Sequence, residues 1–368
     1  MKNVWLEKFA KLIVEYCLDV DKGDLVQING VPLAAPLVKE VYRETLKAGG
    51  HPFVRVGLPG LGPVFYETAG DEQLSYVNPV DIYQVKEIDK VVSIRAPENK
   101  KALTNVDPAR QQKANRSRKD LREIFMKRAG DGELDWCGTL YPTNALAQDA
   151  EMSLDEYEDF VFRACMLHRK NPVSAWKTMR RKQAKICSYL GERKKLRIVR
   201  EGTDLTLSVE GRKWINSDGR HNMPSGEVFT APVEDSVNGT IQYSFPAVWG
   251  GREVHGVRLT FKDGRVVKAS AEKGEDFLLS TLDTDEGSRV LGEVAVGTNQ
   301  YIQQFTKNIL FDEKIGGTVH LAVGAAYPES GGVNTSGIHW DMITDMRDGG
   351  KIYADGKLIY KNGEFTKI

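Results

Sequence analysis

The chain has 368 residues, which predicts two domains or one large one, and 41% of them are hydrophobic, enough for sizeable cores. Its 51 lysines and arginines equal its 51 aspartates and glutamates, so nucleic acid or an acidic membrane is not expected as the main partner. The four cysteines are scattered and no apolar run reaches membrane-spanning length, which predicts a cytoplasmic protein with reduced thiols.

The first half of the chain alternates helical and strand patterns. Apolar side chains recur at helical spacing in residues 5–16 and 34–47, and the second of these helices should end at Gly49. Short apolar strands are predicted at residues 24–28, 53–56, 90–94 and 134–140. This alternation is typical of a mainly parallel sheet, and the fold expected for residues 1–190 is an α/β domain.

Two basic helical segments are predicted at residues 107–128 and 172–185. Basic helices can bind RNA, but these lack interleaved aromatic side chains, so we favour a solvated face or a face against acidic residues of a partner subunit. The glycines and prolines of residues 57–62 follow a strand without matching a dinucleotide fingerprint or a P-loop. We therefore expect them to shape a loop rather than to bind phosphate.

The predicted secondary structure changes from helical to strand-rich near Gly191. Beyond it, short strand patterns alternate with turn signals, and Asp-Gly or Asn-Gly pairs at residues 263–264, 355–356 and 362–363 are typical of hairpins. A single strand is expected at residues 254–261 and a helix at 275–282. The fold predicted for residues 191–368 is a β-rich α+β domain with antiparallel pairing.

Histidine and aspartate side chains in this second domain predict a metal site. His320 lies in an apolar strand pattern, and His339 and Asp341 are two residues apart, so both leave an extended segment by the same face. An imidazole beside a carboxylate suits a dication such as Zn, Co or Mn. The pattern His-x-Asp also occurs at surface turns, so this pair by itself leaves a structural role open.

Three glutamates are candidate partners of these histidines. Glu293 is the only charge in the apolar run 290–297, where a buried carboxylate needs a cation or a proton, although the flanking glycines also permit an exposed strand. Glu227 follows a turn rich in proline and glycine and precedes an apolar strand. Glu313 by itself is typical of a surface turn. His221 is close enough to Glu227 in the sequence to line the same site.

Five motifs group these residues in a fixed order. They are NMPSGE at 222–227, LGEVAVGTN at 291–299, LFDEK at 310–314, HLAVG at 320–324 and HWDMI at 339–343. Together they resemble the signatures of the aminopeptidase T / aminopeptidase S family of dinuclear metallopeptidases. The resemblance extends over essentially the full length of the chain, including the helical opening and the α/β domain.

The resemblance implies a cytoplasmic exopeptidase that releases N-terminal residues from peptides with two divalent ions, Zn, Co or Mn. It implies a homodimer in which the first domain helps to wall the active site. Tyr327 matches a family tyrosine placed to bond the reacting carbonyl oxygen, and we expect Glu293 to bridge the two ions. The ligands it implies are Glu227, Glu293, Glu313, His320, His339 and Asp341. The alternative is a non-catalytic metal- or peptide-binding protein on the same scaffold, which would need a missing ligand.

Overall fold

The computed structural model describes residues 2–366, whose contacts divide into two compact units. The first comprises the residues up to Ser174 and the segment Gly219–Pro224, and the second comprises Ala175–Asp218 and the residues from Ser225 onward. The division precedes Ala175, whereas the sequence places a domain boundary after residue 190. The last helix before that boundary contributes Ile186 and Leu190 to the core of the second unit. Separate folding of residues 1–190 and 191–368 stays a prediction.

The first unit contains a four-stranded, fully parallel sheet. Its order is β2-β1-β3-β4, with β1 Leu25–Gly30, β2 His51–Val56, β3 Lys90–Arg95 and β4 Asp135–Leu140. These are the four strands predicted from the sequence, which confirms the parallel α/β fold. Side chains on one face of the two central strands are buried and apolar, namely Val26, Ile28, Val92 and Ile94. The chain runs outward in opposite directions from β1 and β3, so the sheet has a topological switch point between them.

The helices of this unit connect and cover the strands. They are α1 Lys2–Leu12, α2 Ala35–Ala48, α3 Leu61–Thr68, α4 Asp71–Ser75, α5 Pro79–Glu87, α6 Pro108–Ser117, α7 Lys119–Gly130, α8 Asn144–Asp149 and α9 Leu154–Ala164. As predicted, α2 is capped by Gly49 in the left-handed conformation (φ 89°). The basic segment 107–128 forms two consecutive helices, α6 and α7. Within residues 2–366, no helix is both long and apolar enough to cross a membrane.

The second unit is built mainly from antiparallel strands, as predicted. Its strands are β5 Lys195–Arg200, β6 Thr203–Ser208, β7 Ile215–Ser217, β8 Glu227–Thr230, β9 Asn238–Gln242, β10 Ala247–Trp249, β11 Arg252–Val254, β12 Arg258–Lys262, β13 Arg265–Ser270, β14 Leu291–Gly297, β15 Thr318–Gly324, β16 His339–Asp345, β17 Lys351–Ala354, β18 Lys357–Lys361 and β19 Glu364–Phe365. They form an eight-stranded sheet β13-β12-β9-β6-β5-β17-β18-β19, a five-stranded sheet β16-β15-β14-β8-β7 and the pair β10-β11. The helices are α10 Pro172–Gly191, α11 Glu275–Leu282 and α12 Ile309–Asp312.

The three predicted hairpin turns are confirmed. They join β12 to β13, β17 to β18 and β18 to β19. In each turn both central residues have positive φ, between 48° and 84°. Type I′ turns require this conformation, and glycine, asparagine and aspartate adopt it most readily.

The prediction of one continuous strand at residues 254–261 was wrong. Residues 254–261 are divided between β11, which ends at Val254, and β12, which begins at Arg258. Gly256 lies between them with φ 63°, a left-handed conformation that interrupts an extended strand. The apolar pattern alone does not show this turn, because Val254 and Val257 on either side of it are both buried.

Candidate metal centre

Five of the six candidate ligands lie on one face of the five-stranded sheet. Glu293, Ala322 and Asp341 pair across β14, β15 and β16, and Glu227 pairs with Gly297 on β14. Directly paired residues, and residues two apart on one strand, leave a sheet on the same side. The side chains that converge on this face are those of Glu227, Glu293, His320, His339 and Asp341.

The opposite face of these strands belongs to the main apolar core of the second unit. Its side chains include Val228, Val294, Val296, Leu321, Val323, Trp340 and Met342, all buried. Full burial stabilises each aliphatic side chain by roughly 1.5–3 kcal/mol. Because a shift of register by one residue would move this set out of the core, packing on the apolar face fixes the polar face as well.

A β-bulge at Gly292 places Glu293 on the polar face. Leu291 pairs with Val323 on the core side, but Glu293 pairs with Ala322, so the register shifts by one residue between them. Without the bulge, Leu291 and Glu293 would point to the same side. A Cβ atom at Gly292 would overlap the backbone oxygen of Ala325, and only glycine fits this close approach.

Glu293 lies between the two imidazoles. Its Oε1 is 3.0 Å from Nε2 of His320, and its Oε2 is 3.7 Å from Nε2 of His339. Each imidazole has a second carboxylate beside it: Glu227 Oε2 is 3.3 Å from His320 Nε2, and Asp341 Oδ1 is 3.5 Å from His339 Nε2. Glu293 is therefore shared by two sets of three side chains, each with ligand atoms within 4.8 Å of one another.

Glu313 reaches the cluster from outside the sheet. It follows the short helix α12, and its carboxylate lies with His320 and Asp341 in a third set of ligand atoms within 4.8 Å. The structure thus brings together all six side chains that the sequence proposed as ligands.

Lys314 also lies inside this cluster, although the sequence suggested no role for it. Its side chain is completely buried, contacts the carboxylate of Glu313, and has its Nζ 3.4 Å from Oε1 of Glu227. A buried lysine needs such partners because an isolated ammonium is costly to desolvate. The available signal was its position next to Glu313 between the apolar residues Phe311 and Ile315.

Two unsatisfied carboxylate oxygens in this cluster fit metal ligands. Within residues 2–366, Glu227 Oε2, Asp341 Oδ1 and His320 Nδ1 are buried without a hydrogen-bond partner. A buried polar atom in that state costs about 1–3 kcal/mol, which a coordinated cation would offset at the two carboxylates. Nδ1 of His339 donates to the backbone oxygen of Ala325 at 2.7 Å, which leaves its Nε2 lone pair available for a metal.

The electrostatics of the cluster also favour cations. Burial raises the pKa of Glu293, whereas Asp341 keeps a lowered pKa because the nearby His339 and His320 outweigh its desolvation. Burial alone would lower the pKa of His339, but Asp341 and Glu293 raise it to about 10. The carboxylates of Glu227, Glu293 and Asp341 thus draw positive charge onto the imidazoles, and divalent ions would supply that charge directly.

Tyr327 lies beside the cluster with its ring against His339. The ring centroids are 5.1 Å apart in an edge-to-face arrangement, and Phe229 contacts the same tyrosine at 5.6 Å. Burial, together with the carboxylates of Glu293 and Asp341, raises the pKa of Tyr327, so its hydroxyl stays protonated and can donate.

His221, which the sequence suggested as a lining residue, belongs to the first unit and stacks on Trp136 at 4.8 Å.

The segment that leads His339 into its strand is anchored by Asp285. The Asp285 carboxylate accepts from the backbone N–H of Gly337 at 2.6 Å, from the hydroxyl of Ser336 and from the N–H of Gly287. These hydrogen bonds, with that of Gly337 the strongest, lower the pKa of Asp285 to about 2. The carboxylate therefore ties two loops together in its ionised form.

We expect Asp285→Asn to lower the melting temperature by roughly 1–3 °C, because a cap of this kind is worth about 1 kcal/mol. Since the folded pKa lies below the unfolded value, the carboxylate stabilises the fold above about pH 4, and this advantage is lost as pH falls toward about 2. Thermal unfolding of both proteins across that range measures it. Asp348→Asn, at an exposed position, is the matched control, and a constant difference at every pH would contradict the ionised-cap account.

Comparison with known proteins identifies the family. A model of the thermophilic metalloprotease (M29) family matches residues 3–365. The chain belongs to this family. Aminopeptidase 2 of Geobacillus stearothermophilus is 30% identical with 99% of each chain covered, and aminopeptidase AmpS of Bacillus subtilis (strain 168) is 29% identical with 98% of each covered. The solved structure of wild-type AmpT from Thermus thermophilus has a TM-score of 0.85 and 25% identity, with 99% of each chain covered.

Membership of the M29 family confirms the resemblance that the five motifs suggested. The chain is a metalloaminopeptidase of this family. Its similarity to the solved AmpT extends over both units, the parallel α/β sheet and the β-rich part that holds the cluster.

Proposed function

We propose that the six clustered side chains hold two divalent metal ions and that the protein uses them to release N-terminal residues from peptides. The observation that carries this proposal is the position of Glu293, whose two oxygens face two different imidazoles. One ligand set is Glu227, Glu293 and His320, and the other is Glu293, His339 and Asp341. Glu293 would be shared by the two ions, and Glu313 would add a carboxylate near His320 and Asp341.

The donor atoms support borderline dications. Two imidazole nitrogens and carboxylate oxygens suit Zn, Co or Mn better than Ca or Mg, which prefer oxygen ligands alone. Two dications would leave the four carboxylates near neutrality. Lys314 holds one oxygen of Glu227, so the other oxygen, which has no hydrogen-bond partner within the described residues, is the one available to a metal.

Two metal ions bound there would lower the pKa of a shared water, polarise the scissile carbonyl and hold the free amino group of the substrate. The protein's own side chains orient the substrate and transfer protons. A carboxylate of the cluster accepts the proton of the attacking water. The hydroxyl of Tyr327 donates a hydrogen bond to the carbonyl oxygen as negative charge develops on it, a contribution worth about 2.7–4 kcal/mol for such donors.

Membership of the M29 family counts against the alternative, a non-catalytic metal- or peptide-binding protein. It would need a ligand to be missing or misplaced, and the convergence of all six side chains supports the enzyme instead. The homodimer and the cytoplasmic location stay predictions. Gel filtration of the active protein tests the first of them, since an active monomer would contradict a dimer required for activity.

Removal of metal is expected to abolish peptide hydrolysis while the protein stays folded, because the ligands lie on a sheet held by its apolar face. The experiment compares the protein before chelation, after chelation with metal analysis, and after reloading with Zn, Co or Mn. Release of amino acids from short peptides measures activity, and circular dichroism measures folding. The same peptides with acetylated N-termini test whether a free amine is needed.

Two outcomes would count against the proposal in different ways. Full activity with a confirmed empty site would exclude a metal-dependent mechanism. Equal cleavage of free and acetylated peptides would leave a metallopeptidase but would exclude anchoring of the substrate through its amino group. Unfolding on chelation would instead show that the ions also stabilise the fold.

A further inference from the structure

The parallel sheet of the first unit has one face that departs from the usual composition. Strands of parallel sheets are normally apolar on both faces, because helices cover both. Here Val26 and Ile28 of β1 are buried on one side, but Gln27 and Asn29 point to the other. The register places Ser93 beside Asn29, and the same face continues to β2 and β4.

The polar side chains of this face form an ordered chain of hydrogen bonds. The Gln84 amide donates to Oε1 of Gln27, Gln27 Nε2 donates to Oδ1 of Asn29 at 2.7 Å, and Asn29 Nδ2 donates to Oγ of Ser93 at 3.2 Å. Gln27 is only 7% exposed. Amides linked in series keep fixed orientations, so this network forms a rigid polar floor, and each NH2 group of Gln27 and Asn29 keeps a second N–H outside the series.

A cavity of about 800 Å³ lies over this floor. One wall is apolar and includes Phe125 and Trp136, whose ring centroids are 6.4 Å apart. The cavity covers this face across the switch point of the sheet: Asn29, Arg55 and Arg95 of its lining lie at the carboxyl ends of β1, β2 and β3, and Trp136 lies near the start of β4. Open α/β sheets bind their ligands in the crevice at this position.

The charge of the cavity is strongly positive although the whole chain is neutral. Four arginines line it, namely Arg55, Arg95, Arg118 and Arg122. Asp81 is the only acidic residue among its lining within the described part of the chain, and it pairs with Arg55 at 2.8 Å. Arg118, between α6 and α7, and Arg122, in α7, both belong to the basic segment 107–128. The net charge of +3 matches a doubly charged anion better than a single carboxylate.

From this combination we propose that the first unit binds a small phosphate monoester with a planar, apolar body. Arginine guanidinium groups match phosphate geometry through paired N–H donors. The aromatic wall of Phe125 and Trp136 would contact the planar body, and the amides of Gln27 and Asn29 lie where they can hydrogen-bond its polar edge. This site is lined by arginines, amides and aromatic rings, whereas the metal centre consists of carboxylates and imidazoles. Binding of a phosphate monoester here does not depend on the proposed peptidase mechanism.

Calorimetric titration of the full-length protein with adenosine 5′-monophosphate tests the proposal at constant ionic strength. Adenosine, inorganic phosphate and N-acetylphenylalanine are titrated beside it, to separate the planar body, the phosphate and a carboxylate. We expect the nucleotide to bind at least about tenfold more tightly than each of the other three, because only it engages both the arginines and the aromatic wall.

Variants locate the site. Arg95→Gln and Arg118→Gln should each weaken nucleotide binding by about tenfold or more, whereas Arg116→Gln, an exposed arginine of α6 outside the cavity, should leave it unchanged. Melting temperatures of the variants confirm that they are folded. The proposal is overturned by any of three results: no binding of the nucleotide, equally tight binding of N-acetylphenylalanine, or nucleotide binding that is unchanged in both cavity variants and therefore resides elsewhere.

Discussion

Glu293→Gln is expected to reduce kcat/KM by at least about 1000-fold, which corresponds to about 4 kcal/mol of transition-state stabilisation. Glutamine keeps the size of the side chain but removes the negative charge that faces both His320 and His339. If Glu293 is shared by two dications, both lose a ligand charge at once. Glu313→Gln should cost less, since Glu313 stands at the edge of the cluster and is already engaged by Lys314.

The ranking of these variants is the decisive measurement. Kinetics with a free short peptide is combined with metal content after dialysis, and Glu286→Gln at an exposed position serves as the control. We expect Glu293→Gln to retain less metal than Glu313→Gln. The reverse order in both activity and metal content would show that Glu313, rather than Glu293, is the bridging ligand.

Much of the fold could be predicted because its signals are local. The β strands of the first unit are short apolar runs between helices, and the hairpin turns carry Asp-Gly or Asn-Gly pairs that few other structures require. The pairing of His339 with Asp341 on one face follows from the period of a strand. These predictions needed no knowledge of which distant segments meet.

The remaining features depend on contacts between distant residues. Glu293 could have faced either side, and the outcome was decided by the bulge at Gly292, which is forced by close approach to Ala325. The sequence of residues 290–297 does not show that the backbone of Ala325 comes close to Gly292. The role of Lys314 is not visible in the sequence for the same reason. Its buried ammonium pairs with Glu227, which is 87 residues earlier in the chain.

Glu313 shows how sequence motifs and structure combine. From the residues alone it is typical of a surface turn, and only the family motifs group it with the histidines. In the structure it belongs to a set of ligand atoms with His320 and Asp341. The motif and the geometry are independent observations that agree, which is why a variant at Glu313 is an informative comparison rather than a simple control.

Tyr327→Phe is expected to lower kcat by roughly 100- to 1000-fold with little change in KM, the effect of removing one hydrogen-bond donor to a developing oxyanion. Phenylalanine keeps the ring that packs edge-to-face on His339 and contacts Phe229, so only the hydroxyl is lost.

Steady-state kinetics on a short peptide, with metal content measured in parallel, distinguishes this role from others. Tyr327 is not among the proposed ligands, so the variant should bind as much metal as the wild-type protein. Tyr76→Phe, at a position 66% exposed in the first unit, is the matched control and should leave both parameters unchanged. If KM rose while kcat stayed constant, the tyrosine would contribute to substrate binding through its ring or hydroxyl in the ground state. Its assignment as the oxyanion donor would then be wrong.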